Sequence, residues 1–277
     1  MRVDVRVPAL LLALVVVTGC GGGGGGTPTV TPTTTPAVSP SATAPPPATV
    51  PESTASATPP APGDTPVPAG AARVVARGPS DGRAVVLTFD AGSDAGYTAQ
   101  ILDTLAGNDI VAAFGMTGRW AEANPGLLGR IVDGGHSLIN HSYDHSSFTG
   151  LSTGLPALTQ AERWQQLDRA ERAVGSIAGA TTLPYFRPPF GDYDDSVNAD
   201  IGARGYAYNV MWTVDSRGWQ GLPAGAIVER CLSLAEPGAI YVFHVGSASQ
   251  DGPALQRIID GLSAMGYQFV PLETFAP

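Results

Sequence analysis

From Ala84 to the C-terminus, short runs rich in Val and Ile alternate with longer segments whose apolar residues recur at helical spacing. That alternation restricts the chain to parallel strands joined by helical crossovers. Strands are predicted at Ala84–Phe89, Val111–Gly115, Ser137–Asn140, Leu183–Phe186, Tyr206–Trp212, Ala239–Phe243 and Gln268–Val270. Helices are predicted near Thr98–Gly107, Asn124–Asp133, Thr159–Ile177, Ser196–Arg204, Ala224–Leu234 and Pro253–Met265. About seven parallel strands with helices between them make an α/β fold, a distorted, incomplete (β/α) barrel, with a doubly wound open sheet as the alternative. Asp90, His141, Asp215 and His244 each fall just beyond the carboxyl end of a predicted strand, and Arg187 follows another. In α/β barrels that face holds the active site.

The first 72 residues read differently. Arg2 and Arg6 precede an apolar run from Val7 to Val17 and then Thr18-Gly19-Cys20, the layout of an export signal with small residues at its cleavage point. The run is short for a bilayer span. Val17-Thr18-Gly19-Cys20 resembles a lipobox, so residues 1–20 are expected to be a lipoprotein-type signal ending at a lipidated Cys20, with an ordinary secretory signal as the alternative. Residues 21–72, a glycine run followed by Thr, Pro, Ser, Ala and Val, lack the apolar surface to offset ordering and are expected to form a disordered linker. The folded domain is then 73–277, exported and tethered to the outer face of the membrane or secreted.

Two cysteines, Cys20 and Cys231, leave no intramolecular disulfide framework once the first is taken by the signal, and Cys231 reads as a buried core thiol. The net charge of −9 arises without a single lysine and with no basic cluster, which argues against a nucleic-acid partner. No protein partner is predicted.

Of four histidines, two form His141-Ser142-Tyr143-Asp144-His145, a spacing that lets two imidazoles converge on one ion if the segment turns as a helix. His136, after two glycines, reads as a structural hydrogen-bonding residue. Asp90 closes an apolar strand, the position of a base or ligand, with a turn cap as the plainer role. Arg187-Pro188-Pro189 sets an arginine before two residues of fixed φ, able to aim its guanidinium at a carboxylate.

Taken in order, Thr88-Phe89-Asp90, His141-xxx-His145, Arg187-Pro188-Pro189, Asp215-xxx-Trp219 and Val242-Phe243-His244 resemble the NodB-type polysaccharide deacetylases of carbohydrate esterase family 4, over about 200 residues. The resemblance implies a metal-dependent hydrolase that removes N-acetyl groups from an amino-sugar polymer, such as wall peptidoglycan or a chitin-like glycan. It implies Asp90 as general base, His244 as general acid, and Arg187 and Asp215 as the residues that orient and tune them. His141 and His145 would hold the metal, zinc by ligand type, with cobalt or nickel compatible. The backbone N–H of Phe190 would be an oxyanion donor, and Trp219 and Val242 would wall the acetyl pocket, although core packing accounts for those two equally well.

One departure stands out. The family reads Thr-Phe-Asp-Asp-Gly, its second aspartate a metal ligand, where this chain has Ala91. Asp94, swung back by a turn at Gly92, is the substitute expected as third ligand; Asp90 doubling as ligand, or water, are the alternatives. Three rival functions follow: an O-acetyl esterase of the xylan type, a non-catalytic glycan-binding wall protein, and an anchored structural lipoprotein.

Overall fold

The computed structural model describes residues 70–277. The export signal, Cys20 and the linker as far as residue 69 lie outside the described residues. Ala72, expected to end the linker, is already buried and packs with Phe148, Phe186 and Val197, so the domain starts slightly before Arg73.

Among the described residues nine strands alternate with seven helices: β1 Arg73–Val75, β2 Ala84–Ala91, α1 Thr98–Gly107, β3 Ala113–Met116, α2 Gly118–Ala123, α3 Pro125–Asp133, β4 Ser137–Asn140, α4 Gln160–Ala178, β5 Tyr185–Phe186, α5 Asp195–Gly202, β6 Tyr208–Val210, β7 Val214–Asp215, α6 Ala224–Ser233, β8 Ile240–His244, α7 Asp251–Ala264 and β9 Gln268–Phe269. The strands pair in parallel in the order β1-β6-β5-β4-β3-β2-β8-β7, with β9 beside the start of β2. The path ends at β1 and β7 without closing, so the barrel is incomplete, as expected.

Seven strands were expected and nine are present. The two additional ones, β1 and β7, are three and two residues long and carry no apolar run of their own. The short helix α2 was also unexpected; it starts where Thr117 accepts the N–H of Trp120. The long helix α4 begins with a full capping box, Thr159 with Glu162, and stops at Gly179 in the left-handed conformation.

Strand parity explains both core and cleft. Alternate residues Val85, Leu87 and Phe89 of β2, with Phe114, Tyr241 and Phe243 of its neighbours, face the helix-covered layer. The opposite parity faces the barrel interior. There Val86, Ala113, Ile139 and Ile240 form an apolar floor, sealed by Leu272, Phe275 and Ala276 from the C-terminal turn. Further along the same strands that parity ends in Asp90 and His244, which lie opposite each other on paired β2 and β8. His136 is structural, its Nδ1 accepting the N–H of Ala112, and Cys231 is buried.

Phe89 stacks on Phe114 at 5.2 Å and on Phe243 at 5.3 Å between ring centroids. Phe89→Ala is therefore expected to cost about 3–5 kcal/mol and to lower Tm by roughly 10 °C in a thermal melt.

Candidate active site

The carboxyl ends of β2, β4, β5, β7 and β8 surround one cleft. At its base lies Asp90, the penultimate residue of β2: the strand runs two residues past its expected end at Phe89 and so includes the aspartate. Asp90 Oδ1 accepts a hydrogen bond from Arg187 Nη1 at 2.7 Å, and Arg187 is fully buried. Its Nε donates to Val210 O at 2.8 Å, so the guanidinium is fixed from two sides. A Cβ on Gly115, opposite Asp90 on β3, would lie 2.6 Å from Asp90 Oδ1, so only glycine leaves room for the carboxylate there. Burial alone would push the Asp90 carboxyl up; the charges of Arg187, His141 and His244 outweigh it and hold the group below the usual carboxylate range.

His141 follows β4. Its Nδ1 lies 2.9 Å from the carbonyl of Arg187, which fixes the tautomer with the proton on Nδ1 and leaves Nε2, 3.7 Å from Asp90 Oδ2, bare toward the cleft. The expected helical turn between the two histidines is absent. The segment is a loop in which Ser142 and His145 both adopt positive φ, held by Asn140 Oδ1 accepting the N–H of Ser142 and Ser142 Oγ accepting the N–H of His145. The imidazoles still converge, edge to face with centroids 4.9 Å apart. Desolvation, then the nearby His141, push the His145 pKa down to about 4, so its ring is neutral and able to bind a cation at neutral pH.

The remaining wall comes from other loops. Pro188, Phe190, Trp212, Asp215, Trp219 and Val242 line a recess of about 510 Å³ together with Asp90, both histidines and His244. Phe190 is half-exposed, has φ 62°, and stacks its ring edge-on against His145 at 4.6 Å. Asp215 is engaged with its own loop: Oδ1 accepts the N–H of Arg217 at 2.7 Å and Oδ2 that of Trp219 Nε1 at 3.2 Å. It is not the carboxylate beneath His244.

That group is Asp251, the first residue of α7, which sequence reasoning missed because an acidic residue opening a helix looks like ordinary dipole compensation. Asp251 Oδ2 accepts the backbone N–H of His244 at 2.8 Å and lies 3.9 Å from His244 Nδ1. Asp192 was also missed; it takes hydrogen bonds from Ser147 Oγ, Ser152 N and Ser152 Oγ and so holds the 147–152 loop, whose Ser152 reaches the recess.

Asp94 is placed differently from the expectation. Its Oδ1 accepts the N–H of Ser247 at 2.8 Å and its Oδ2 the Ser247 hydroxyl at 2.5 Å, hydrogen bonds that hold its pKa low. The carboxylate thus joins the loop after β2 to the loop after β8, and Ser93 rather than Asp94 lines a second pocket that shares Asp90 and the histidines with the recess. Ala91 is fully buried beside Phe89 and Met116 in the helix-facing layer. Among the described residues no group of three His, Cys, Asp or Glu side chains converges as a metal ion would require. The donors present fit a cation held by two imidazoles and do not fit one held by three protein ligands.

The sequence profile of polysaccharide deacetylases matches residues 77–209. A peptidoglycan N-acetylglucosamine deacetylase of Bacillus cereus is 30% identical over 198 residues, which are 70% of this chain and 69% of that one. The chain belongs to the polysaccharide deacetylase family. A second relative, the peptidoglycan N-acetylglucosamine deacetylase PgdA of Listeria monocytogenes, is 31% identical over 191 residues, 68% of this chain and only 38% of that protein. The deacetylase fold also superposes, with a TM-score of 0.66 and 27% identity, on a family 4 carbohydrate esterase pseudoenzyme of Bacillus anthracis, covering 74% of this chain and 71% of that one. A mutant of that protein has restored enzymatic activity.

Asp94→Ala is expected to leave zinc affinity, measured by calorimetry, unchanged, and to speed amide exchange at Gly246 and Ser247. Loss of zinc binding would return Asp94 to the ligand set.

Proposed function

We propose that the domain hydrolyses N-acetyl groups of an amino-sugar polymer, with wall peptidoglycan or a chitin-like glycan as substrate. The observation that carries the reading is the pair of proton-transfer groups on adjacent strands, Asp90 and His244, in register across one cleft. Asp90 has one oxygen committed to Arg187 and the other free toward the cleft, and the ion pair keeps it ionised. It takes the proton of a water molecule as that water's oxygen bonds to the acetyl carbon. His244, from the neighbouring strand, gives a proton to the amine nitrogen as the carbon–nitrogen bond breaks, releasing acetate and the free amino sugar. The N–H of Phe190, turned by its positive φ, is the donor assigned to the developing oxyanion, and Val242 and Trp219 enclose the acetyl methyl. His141 and His145 are the residues that would hold a divalent ion, zinc by ligand type; bound there it would polarise the acetyl carbonyl. Delivery to the cell surface through a lipidated Cys20 belongs to the same reading and places the wall polymer within reach.

Acetate release from N-acetylglucosamine oligomers and from peptidoglycan tests the proposal. His244→Ala is expected to lower amide cleavage by about 10²–10⁴-fold while sparing acetyl esters, whose alkoxide leaves more readily than an unprotonated amine. Cleavage of acetyl esters by a parent domain that releases no acetate from the amides would instead favour the O-acetyl esterase reading.

A second reading, glycan binding with little or no turnover, is favoured by Ala91, by the absence of a third donor among the described residues, and by the resemblance to a pseudoenzyme. Ala91→Asp separates the two. With a melt confirming that this buried position still folds, the variant is expected to bind zinc at least about tenfold more tightly, as a third protein ligand should. If parent and folded variant both fail to release acetate but retain sugar binding, the binding reading holds.

A further inference from the structure

Besides Arg187 Nη2, two buried polar atoms beside the cleft have no hydrogen-bond partner: His244 Nδ1 and Asp251 Oδ1. They belong to residues already joined, because Asp251 Oδ2 takes the backbone N–H of His244. Asp251 is fully buried, and its orientation is set from several directions: Ser216 Oγ donates to Oδ2 at 3.0 Å, its own N–H donates to Ser249 Oγ at 3.2 Å, and a Cβ on Gly218 would come within 2.5 Å of Oδ1. A buried carboxylate left half-satisfied next to an unpaired imidazole nitrogen is costly to keep, and Nδ1 lies only 3.9 Å from Oδ2.

We propose that Asp251 is the positioning residue of His244: it accepts the Nδ1–H of the imidazole, fixes the ring's tautomer and leaves Nε2 to face the substrate. Burial pushes the Asp251 carboxyl up, and the hydrogen bonds from His244 N–H and Ser216, together with the first turn of α7, favour its anion. Asp215 lines the same cleft but spends both oxygens on Arg217 and Trp219. The base and the acid are therefore held alike, each by one buried partner from another element: Asp90 by Arg187 after β5, His244 by Asp251 of α7. The catalytic consequence rests on the deacetylase reading, whereas the contact does not.

Nitrogen-15 NMR of the imidazole rings tests it, with a His244 variant to assign the signal. Neutral His244 in the parent domain is expected to carry its proton on Nδ1. Asp251→Asn keeps an oxygen for the backbone N–H and for Ser216 but removes the charge that makes the bond strong, and is expected to shift the tautomer ratio toward Nε2–H by about tenfold. Asp215→Asn is expected to leave that ratio unchanged. On any substrate turned over, Asp251→Asn should lower kcat and leave KM unaltered. An Nε2–H tautomer in the parent, or a ratio that responds to Asp215 and not to Asp251, overturns the assignment. The first of these outcomes needs no Asp251 variant and so survives a failure of Asp251→Asn to fold. A tautomer that shifts as expected in a domain that releases no acetate keeps the contact and rejects the deacetylase reading instead.

Discussion

The buried ion pair between Asp90 and Arg187 is the constraint around which the cleft is arranged. Removing both charges from water costs several kcal/mol per ion, and the attraction offsets this only where the remaining donors are also satisfied. Arg187 meets that condition incompletely: Nη1 holds Asp90 and Nε holds the Val210 carbonyl, while Nη2 has no protein partner. Its main chain is equally committed, the N–H to Asn140 O and the carbonyl to His141 Nδ1. One residue after β5 thus sets the ionisation of Asp90, the tautomer of a histidine and the spacing of β2, β4 and β6 around them. Pro188 and Pro189 follow directly and limit the backbone freedom that could loosen the arrangement. The pair is poor value as stabilisation, since well-packed apolar residues would serve as well or better. A desolvated, ionised carboxylate with one free oxygen is useful chiefly to proton transfer.

Most of this is legible in the sequence, because the residues that matter end strands. A run such as Val85-Val86-Leu87-Thr88-Phe89 that stops at an aspartate announces both a buried parallel strand and the face where it terminates. The strands that went unseen lack that signal: Arg73-Val74-Val75 and Val214-Asp215 are held by pairing with β6 and β8 and not by apolar content. The turn between His141 and His145 was misjudged for a different reason. Four-residue spacing suggests a helical turn, but the side chains of Asn140 and Ser142 capture backbone N–H groups and bend the segment through positive φ. Asp94 and Asp251 illustrate the limit of spacing arguments. Each contact depends on where two loops meet, Asp94 on the loop after β8 and Asp251 on the backbone of His244, and neither distance is encoded in separation along the chain.

Position 91 shows how strand parity and ligand chemistry compete. The inward parity of β2 runs Val86, Thr88, Asp90; Ala91 falls on the other side, beneath the helices with Phe89 and Met116, and β2 keeps pairing with β3 through this residue. A carboxylate there would have to leave the apolar layer and turn over the strand end to reach the histidines, whereas a methyl group is at home in it. On the proposed reading, alanine at this position would relax a local conflict and forgo a cation donor at once. It leaves the β2–β8 pair untouched, since Asp90, Arg187, His244 and Asp251 take none of their hydrogen bonds from residue 91. On the proposed reading, proton transfer and cation binding would fall to separate parts of the cleft, the first to neighbouring strands and their buried partners, the second to a loop and a strand end. A cleft used only to bind sugar would gain nothing from a buried ion pair and a half-satisfied carboxylate. The presence of both, beside two imidazoles with no third converging donor among the described residues, is the physical reason to favour the catalytic reading over the binding one.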